Sequence, residues 1–257
     1  MKILYKAKGL YILLALFGWS TIATASNPGE EYKTKLITHF EKKGVNIKPY
    51  FEDSRFELID GIKEKFTRSA EVKIEGFVDY QKVLGYEKKK DKISSFYAAH
   101  KEDLSKAEKE YGIPKEVIIG ILGVESEFGK YEGKYNPFNA YVSMIAADHR
   151  SKFALAQLEE LLEWSEKNKL DVLSLKSSYA GAMSYAQFVP WSLNRWFVGD
   201  DLYDMSNNIY SVANFLAHYK DVTGSVEKAI LRYNNSTLYR QAVLSLAEDA
   251  KVFTGKS

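Results

Sequence analysis

The 257-residue sequence contains no cysteine. This absence excludes disulfide scaffolds, thiolate zinc sites, iron–sulfur clusters and cysteine nucleophiles together. It also excludes a bacterial lipoprotein, because the lipid anchor of such a protein is attached to a cysteine. An exported protein of this sequence has little reason to depend on the redox state of its compartment.

The chain has no large excess of charge of either sign. It carries 36 Lys and Arg residues against 34 Asp and Glu residues, a formal net charge of +2. Three of the lysines lie in the first 25 residues, which contain no acidic residue, so the rest of the chain has a net charge of −1. Nucleic-acid binding needs a basic surface, and we therefore expect no nucleic-acid partner.

Metal and phosphate signatures are missing as well. No two of the four histidines are four residues apart, and no glycine-rich phosphate loop occurs. Residues 199–208 are rich in Asp and Asn but lack the alternating ligands, central glycine and terminal glutamate of an EF-hand. We expect neither a metal site nor a cofactor.

The first 25 residues have the pattern of a secretory signal peptide. Lysines at positions 2, 6 and 8 precede a short apolar run over residues 10–19, and residues 23–25 (Ala-Thr-Ala) suit cleavage. The apolar run is shorter than the roughly 20 residues of a membrane-spanning helix, so a permanent anchor is the weaker interpretation. The pattern predicts cleavage before Ser26 and a protein that is soluble in the periplasm.

Beyond this segment, apolar residues recur at helical spacing and alternating strand patterns are rare, so the predicted fold class is mainly α. Residues 68–86 show no clear period, and the lysine-rich residues 87–92 indicate a solvated connection. Helices are predicted over residues 31–43, 56–66, 93–111, 114–128, 153–168, 210–222, 225–233 and 238–250.

The predicted helix 114–128 carries a carboxyl group on its apolar side. At 100° per residue, Glu125 points within about 20° of Ile118 and about 40° of Ile121. Glu127 points about 160° away from Glu125 and faces Lys130. Because desolvation disfavours a charged carboxylate, Glu125 is a candidate for a raised pKa and for a general acid. The alternative is a structural residue hydrogen-bonded to a loop.

Two further segments have a composition that suits carbohydrate. Residues 177–192 combine small residues, aromatic rings and uncharged hydrogen-bonding groups, which suits a sugar groove and suits a tightly packed core equally well. Residues 232–236 are polar and lie between two predicted helices. Taken alone, they indicate only a loop that ends a helix.

Together these segments resemble the lytic murein transglycosylase B family of bacterial cell-wall enzymes. The resemblance rests on GVESEFG at 123–129, on GAM, QF and P between 181 and 190, and on RYN at 232–234. AEKEYGIP at 107–114 resembles the family's approach to its catalytic helix, and RFELI at 55–59 adds weaker support.

The resemblance implies a lysozyme-like α-helical catalytic domain over residues 107–257, with an additional N-terminal helical lobe over residues 26–106. It implies cleavage of the β-1,4 bond between N-acetylmuramic acid and N-acetylglucosamine, with a 1,6-anhydromuramoyl product. The expected partners are peptidoglycan glycan strands, and we expect a monomer. A hydrolytic muramidase and a catalytically silent peptidoglycan-binding protein are the alternatives.

The resemblance also implies roles for individual residues. Glu125 matches the family's single acid and base, and Met183 and Phe188 are expected mainly to pack. There are six candidate substrate-binding residues. Four of them match residues of the family's saccharide site: Ser178, Gln187, Tyr233 and Asn234. The two tyrosines of the 177–192 segment, Tyr179 and Tyr185, are added as groove residues.

One departure from the family pattern concerns the shape of the groove. The usual GAMGYGQF is GAMSYAQF here, with Ser184 and Ala186 in place of glycines. If those glycines let the backbone approach the sugar, we expect a tighter or differently shaped groove in this chain.

Overall fold

A computed structural model of the protein describes residues 30–71, 74 and 76–255, with the side chains of 68–71 left aside. The predicted signal peptide and its cleavage site lie outside these residues. The described residues are mostly helical and contain no β-strand beyond two isolated bridges, which confirms the mainly α fold class. No helix in this part of the chain is long and apolar enough to span a membrane.

The chain divides into two compact units, with α1 in the first and the other helices in the second, which begins at Asn46. The predicted boundary between residues 106 and 107 stays a prediction. The helices of the described residues are α1 (Glu31–Glu41), α2 (Lys48–Glu52), α3 (Ile62–Glu71), α4 (Phe77–Leu84), α5 (Tyr86–Lys90), α6 (Ile93–Tyr111), α7 (Lys115–Ser126), α8 (Pro137–Ala146), α9 (Ser151–Lys167), α10 (Pro190–Trp196), α11 (Met205–Thr223), α12 (Val226–Tyr233) and α13 (Thr237–Thr254).

The core of the second unit is built around α7. Its side chains Ile118, Ile119 and Ile121 are fully buried, and each contributes about 1.5–3 kcal/mol through removal from water. A helix that is apolar on most sides must be surrounded, and α7 packs against α13, α6 and α11. The closest approach is at Gly120, where a Cβ atom would lie 2.4 Å from the carbonyl oxygen of Val243 on α13.

The predicted helices are confirmed to within a few residues except between residues 46 and 92. The predicted helix 56–66 is wrong over its first half, because residues 53–61 form turns and extended chain before α3 begins. In the segment where the sequence shows no clear period, α4 forms only eight residues of helix. Its apolar side chains Phe77, Tyr80 and Leu84 are half-buried, and a stripe of this length is too short to be recognised as a period. The expected solvated connection over residues 87–92 is wrong in part: residues 87, 88, 90 and 91 are exposed, but α5 forms there and buries Lys89.

Periodicity does not predict α8 and α10. Eight of the ten residues of α8 are buried, so the helix has no polar face to produce a period, and α10 has only seven residues. Both helices begin with a proline in the first turn, at Pro137 and Pro190. That proline is the sequence signal from which these helices could have been found.

The packing of α7 on α13 generates a first prediction. Gly120→Ala places a methyl group against the backbone of α13 and should lower the free energy of unfolding by about 1–3 kcal/mol. Thermal unfolding followed by circular dichroism measures the change. Gly76→Ala is the matched control, because no atom lies within 4 Å of the added Cβ. Equal stability losses in the two variants would contradict the close approach of α7 and α13.

Candidate active site

The last turn of α7 places Glu125 in the wall of a cavity of about 250 Å³. Glu125 is half-buried as a whole residue, and it lines this cavity. Segments that are distant in sequence meet here, as the combination of motifs predicts. The lining residues are Glu125, Ala182, Gln187, Phe188, Val189, Ser192, Phe215, Arg232, Tyr233 and Asn234.

A tight turn between Met183 and Phe188 presents Gln187 to the cavity. The backbone N–H of Met183 donates to the Phe188 carbonyl over 2.8 Å, and the reverse bond spans 2.9 Å. Within the turn, Gln187 Nε2 donates to the Ser184 carbonyl over 2.9 Å, which fixes the side chain. Met183 and Phe188 are buried, so their expected packing role is confirmed, although Phe188 also lines the cavity.

The two residues that replace family glycines lie in this turn. Ser184 has a φ of 66°, in the left-handed region that glycine adopts at less cost. Ser184 and Ala186 are fully buried and neither lines the cavity. The Ala186 N–H donates to Asn208 Oδ1 over 2.9 Å, away from any solvent-facing surface. The two replacements therefore do not narrow this cavity directly, and a tighter or differently shaped groove stays a prediction.

The end of α12 forms a second wall of the cavity. The Tyr233 hydroxyl donates to the Ala186 carbonyl over 2.6 Å, which ties α12 to the tight turn. Its ring packs against Phe188 and Phe215, with centroid distances of 5.5 and 4.7 Å. Asn234 follows at the exposed rim. Of the predicted substrate-binding residues, Gln187, Tyr233 and Asn234 thus lie together with Glu125.

The other three candidate substrate residues are not among those that line the cavity. The Ser178 hydroxyl accepts a backbone hydrogen bond of 3.2 Å within its own turn. The Tyr179 ring packs edge-on against Phe66 at a centroid distance of 5.0 Å. The Tyr185 hydroxyl donates to Glu132 over 3.5 Å. A role for these three residues in substrate binding stays a prediction.

The surroundings of Glu125 shift its ionisation. Burial raises the pKa of Glu125 to about 7. A hydrogen bond from Tyr239 and the positive charge of Lys89 both lower this pKa, but their effect is smaller than that of burial. The Tyr239 hydroxyl donates to Glu125 Oε1 over 2.5 Å, and Tyr239 itself is buried. At neutral pH the carboxyl group is therefore divided between its protonated and ionised forms, as a proton donor requires.

Sequence reasoning missed three residues around Glu125: Tyr239, Lys89 and Tyr80. Tyr239 had a detectable signal, because it shares the apolar stripe of α13 with buried Ala242 and Val243. A hydroxyl on such a stripe needs a partner, as the carboxyl group on α7 does. Lys89 and Tyr80 lie on the two short helices that periodicity does not reveal.

Glu127 is held in a different environment from Glu125. The helix ends at Ser126, and Glu127 has a φ of 52°, so the helical phase used to orient it does not apply. It faces Lys130, as expected, and accepts hydrogen bonds from Lys92 Nζ at 2.7 Å and Lys130 Nζ at 3.0 Å. The Lys92 hydrogen bond and then that of Lys130 hold its pKa down at about 2. Glu127 is therefore an ion-paired anion and not a proton donor.

The Asp- and Asn-rich segment 199–208 leads into α11. Asp204 Oδ1 accepts from the backbone N–H of Asn207 over 2.8 Å and caps the helix. Asp201 Oδ1 accepts from the backbone N–H of Tyr203 over 2.8 Å. These bonds give the segment a structural role, and the absence of a metal site stays a prediction.

The chain belongs to the transglycosylase SLT domain family, which matches residues 34–226. Membrane-bound lytic murein transglycosylase B from Escherichia coli strain K12 is 35% identical to it over 136 residues, which are 50% of this chain and 38% of that protein. The chain thus matches little more than a third of the length of this relative.

Solved structures share the fold. Lytic transglycosylase SltB1 from Pseudomonas aeruginosa superposes with a TM-score of 0.80 at 24% identity, over 89% of this chain and 99% of that one. SltB3 from the same organism, solved in complex with NAG-anhNAM-pentapeptide, has a TM-score of 0.73 at 17% identity, over 88% of this chain and 80% of that one. These likenesses confirm the lysozyme-like helical fold.

The contact between Tyr239 and Glu125 generates a second prediction. Tyr239→Phe removes a hydrogen bond that favours the carboxylate, so the pKa of Glu125 should rise by about one unit. Carboxyl-carbon NMR titration of the protein measures this shift. Tyr141→Phe is the matched control, because Tyr141 is also a buried tyrosine but its hydroxyl donates to a backbone carbonyl, that of Gly181, over 2.9 Å. An unchanged Glu125 titration in Tyr239→Phe would contradict the geometry.

Proposed function

We propose that the protein is a peptidoglycan lytic transglycosylase in which Glu125 is the single acid and base. The observation that carries the proposal is that Glu125 is the only carboxyl group among the described residues that line the cavity. Most glycosidases use a second carboxyl group, as a nucleophile or to activate water. A site with one carboxyl group suits a reaction in which the substrate supplies its own nucleophile. Membership of the transglycosylase SLT domain family supports the same assignment.

The first step needs a protonated carboxyl group beside the glycosidic oxygen. Burial favours the protonated form of Glu125 and holds its pKa at about 7, so the proton is available near neutral pH. Glu125 donates this proton to the oxygen as the β-1,4 bond breaks, and the leaving sugar departs with a hydroxyl group. The substrate's N-acetyl group stabilises the cationic centre, as in substrate-assisted glycosidases.

The second step uses the carboxylate that the first step leaves behind. Glu125 takes the proton of the C6 hydroxyl group as that oxygen attacks the anomeric carbon and closes the 1,6-anhydro ring. Intramolecular attack can have an effective molarity on the order of 10⁵–10⁸ M, which lets it outcompete water. The Tyr239 hydroxyl stabilises the carboxylate between the steps, and Glu125 ends the cycle protonated.

The cavity walls provide neutral groups that suit a saccharide. The amides of Gln187 and Asn234 can hydrogen-bond to hydroxyl and acetamido groups, and the Arg232 guanidinium adds donors. The ring of Phe215 offers apolar surface beside them. The crystallised complex of SltB3 with a muropeptide supports the same class of substrate for this chain.

The place of action follows from the N-terminal sequence pattern. We infer that the protein is exported by its signal peptide and acts as a soluble monomer on glycan strands in the periplasm. The charged n-region, the short apolar run and the small residues at the cleavage site support this inference.

The third prediction tests the catalytic assignment. Glu125→Gln keeps the shape and the acceptor for Tyr239 but removes the acidic proton, so turnover should fall at least about 10²–10⁴-fold while glycan binding is retained. Mass spectrometry of digested peptidoglycan measures turnover and identifies the product. Anhydromuramoyl ends support the proposal, reducing muramic acid ends indicate a muramidase, and binding without cleavage by the unmodified protein indicates a silent binding protein.

Two controls accompany this variant. Glu127→Gln should keep near-normal turnover but lose stability, because it weakens two ion pairs. Glu125→Gln should gain stability relative to the unmodified protein as pH rises from 4.5 to 7, because over that range the unfolded chain releases the Glu125 proton while the folded protein still retains it. Equal losses of turnover in both variants, or full turnover in Glu125→Gln, would refute the assignment.

A further inference from the structure

Lys89 is unusual because it is a buried lysine. Its side chain lies on α5 and only 4% of the residue is exposed. In the part of the chain whose side chains are described, Lys89 and Glu127 are the only charged residues buried to this degree. A buried ammonium group is costly unless nearby negative charge compensates it.

Three contacts fix the position of α5. The Tyr86 hydroxyl donates to Asp249 on α13 over 2.8 Å, and Lys90 Nζ pairs with the same carboxylate at 3.0 Å. Just after the helix, Lys92 pairs with Glu127 at the end of α7. Lys89 is three residues from Tyr86, on the same buried side of α5, and that side packs against α13 close to the end of α7 where Lys92 meets Glu127.

Charged groups of both signs surround Lys89, and some of them already form ion pairs with one another. Burial lowers the pKa of Lys89, and Glu127 and then Glu125 attract its ammonium group, whereas Lys92 and Lys130 repel it. Glu127 already pairs with Lys92 and Lys130 at 2.7 and 3.0 Å. Within the described residues, this leaves the charge of Lys89 as the nearby cation that acts on Glu125, together with the hydroxyl of Tyr239.

We propose that Lys89 is a positioning residue for the catalytic carboxyl group: its buried positive charge stabilises the carboxylate form of Glu125 that exists between the two steps. The inference rests on the proposed function, because only a group that serves first as acid and then as base needs both forms to be accessible. Burial alone would hold Glu125 protonated, and Lys89 offsets part of that effect.

The other titratable groups near this pair belong to three helices. Tyr80 on α4, Tyr233 on α12 and Tyr239 on α13 are affected by the charge of Glu125, and burial raises the pKa of each phenol. Asp249 on α13 is occupied by Tyr86 and Lys90. With the phenols neutral at neutral pH and Arg232 exposed at the cavity rim, Lys89 is the buried group near Glu125 whose positive charge favours the carboxylate.

The test replaces Lys89 by methionine, which has similar length and no charge. In Lys89→Met, carboxyl-carbon NMR titration should show the ionisation of Glu125 shifted upward by about one pH unit. Turnover of purified glycan strands at pH 7 should fall about tenfold, and the high-pH limb of kcat/KM should move to higher pH. Lys89→Arg keeps the charge and should restore most of both properties, provided that thermal unfolding shows a folded protein.

The matched control is Lys88→Met, which removes the lysine on the other side of Lys89, an exposed residue of α5 that makes none of the contacts described above. It should leave the Glu125 titration and turnover unchanged. The inference would be overturned if Glu125 titrated at the same pH in folded Lys89→Met and in the unmodified protein. The NMR readout needs no substrate, so this failure is distinct from a failure of the proposed function, in which the unmodified protein would not cleave glycan strands.

Discussion

The structure depends on how one carboxyl group is held at the end of an apolar helix. Glu125 occupies the last turn of α7, where burial favours its protonated form and the Tyr239 hydroxyl favours its carboxylate. Burial is the larger influence, and the hydrogen bond from Tyr239 limits the rise, so that the pKa of Glu125 is about 7. A fully desolvated carboxyl group would keep its proton, and a fully solvated one would lose it well below neutral pH. The chemistry we propose needs the intermediate condition.

The rest of the second unit maintains this condition. Close packing at Gly120 sets the separation of α7 and α13, and this separation brings Tyr239 to Glu125. The turn at Ser184 and the end of α12 close the cavity through the hydrogen bond from Tyr233 to the Ala186 carbonyl. The ion pairs of Glu127 keep that second carboxylate out of the reaction. Stability and chemistry therefore depend on the same contacts.

The long helices and Glu125 could be predicted from the sequence because each leaves a local signal. A carboxyl group on an apolar stripe is visible at helical spacing, and the RYN and GAM…QF segments point to the cavity walls. Short helices such as α4 and α5 leave no such signal, and their places depend on contacts distant in sequence, such as that of Tyr86 with Asp249. Tyr239 and Lys89 were missed because their importance lies in what the fold brings near them.

The central claim is that a buried acid with a pKa of about 7 controls the reaction. The most direct test is the pH dependence of kcat/KM for the unmodified protein on purified glycan strands, which reports the ionisation of groups in the free enzyme. The account predicts that kcat/KM falls above an ionisation close to pH 7, as Glu125 loses its proton. A profile that stays flat through pH 9, or that is controlled by an ionisation near pH 4.5, would contradict it.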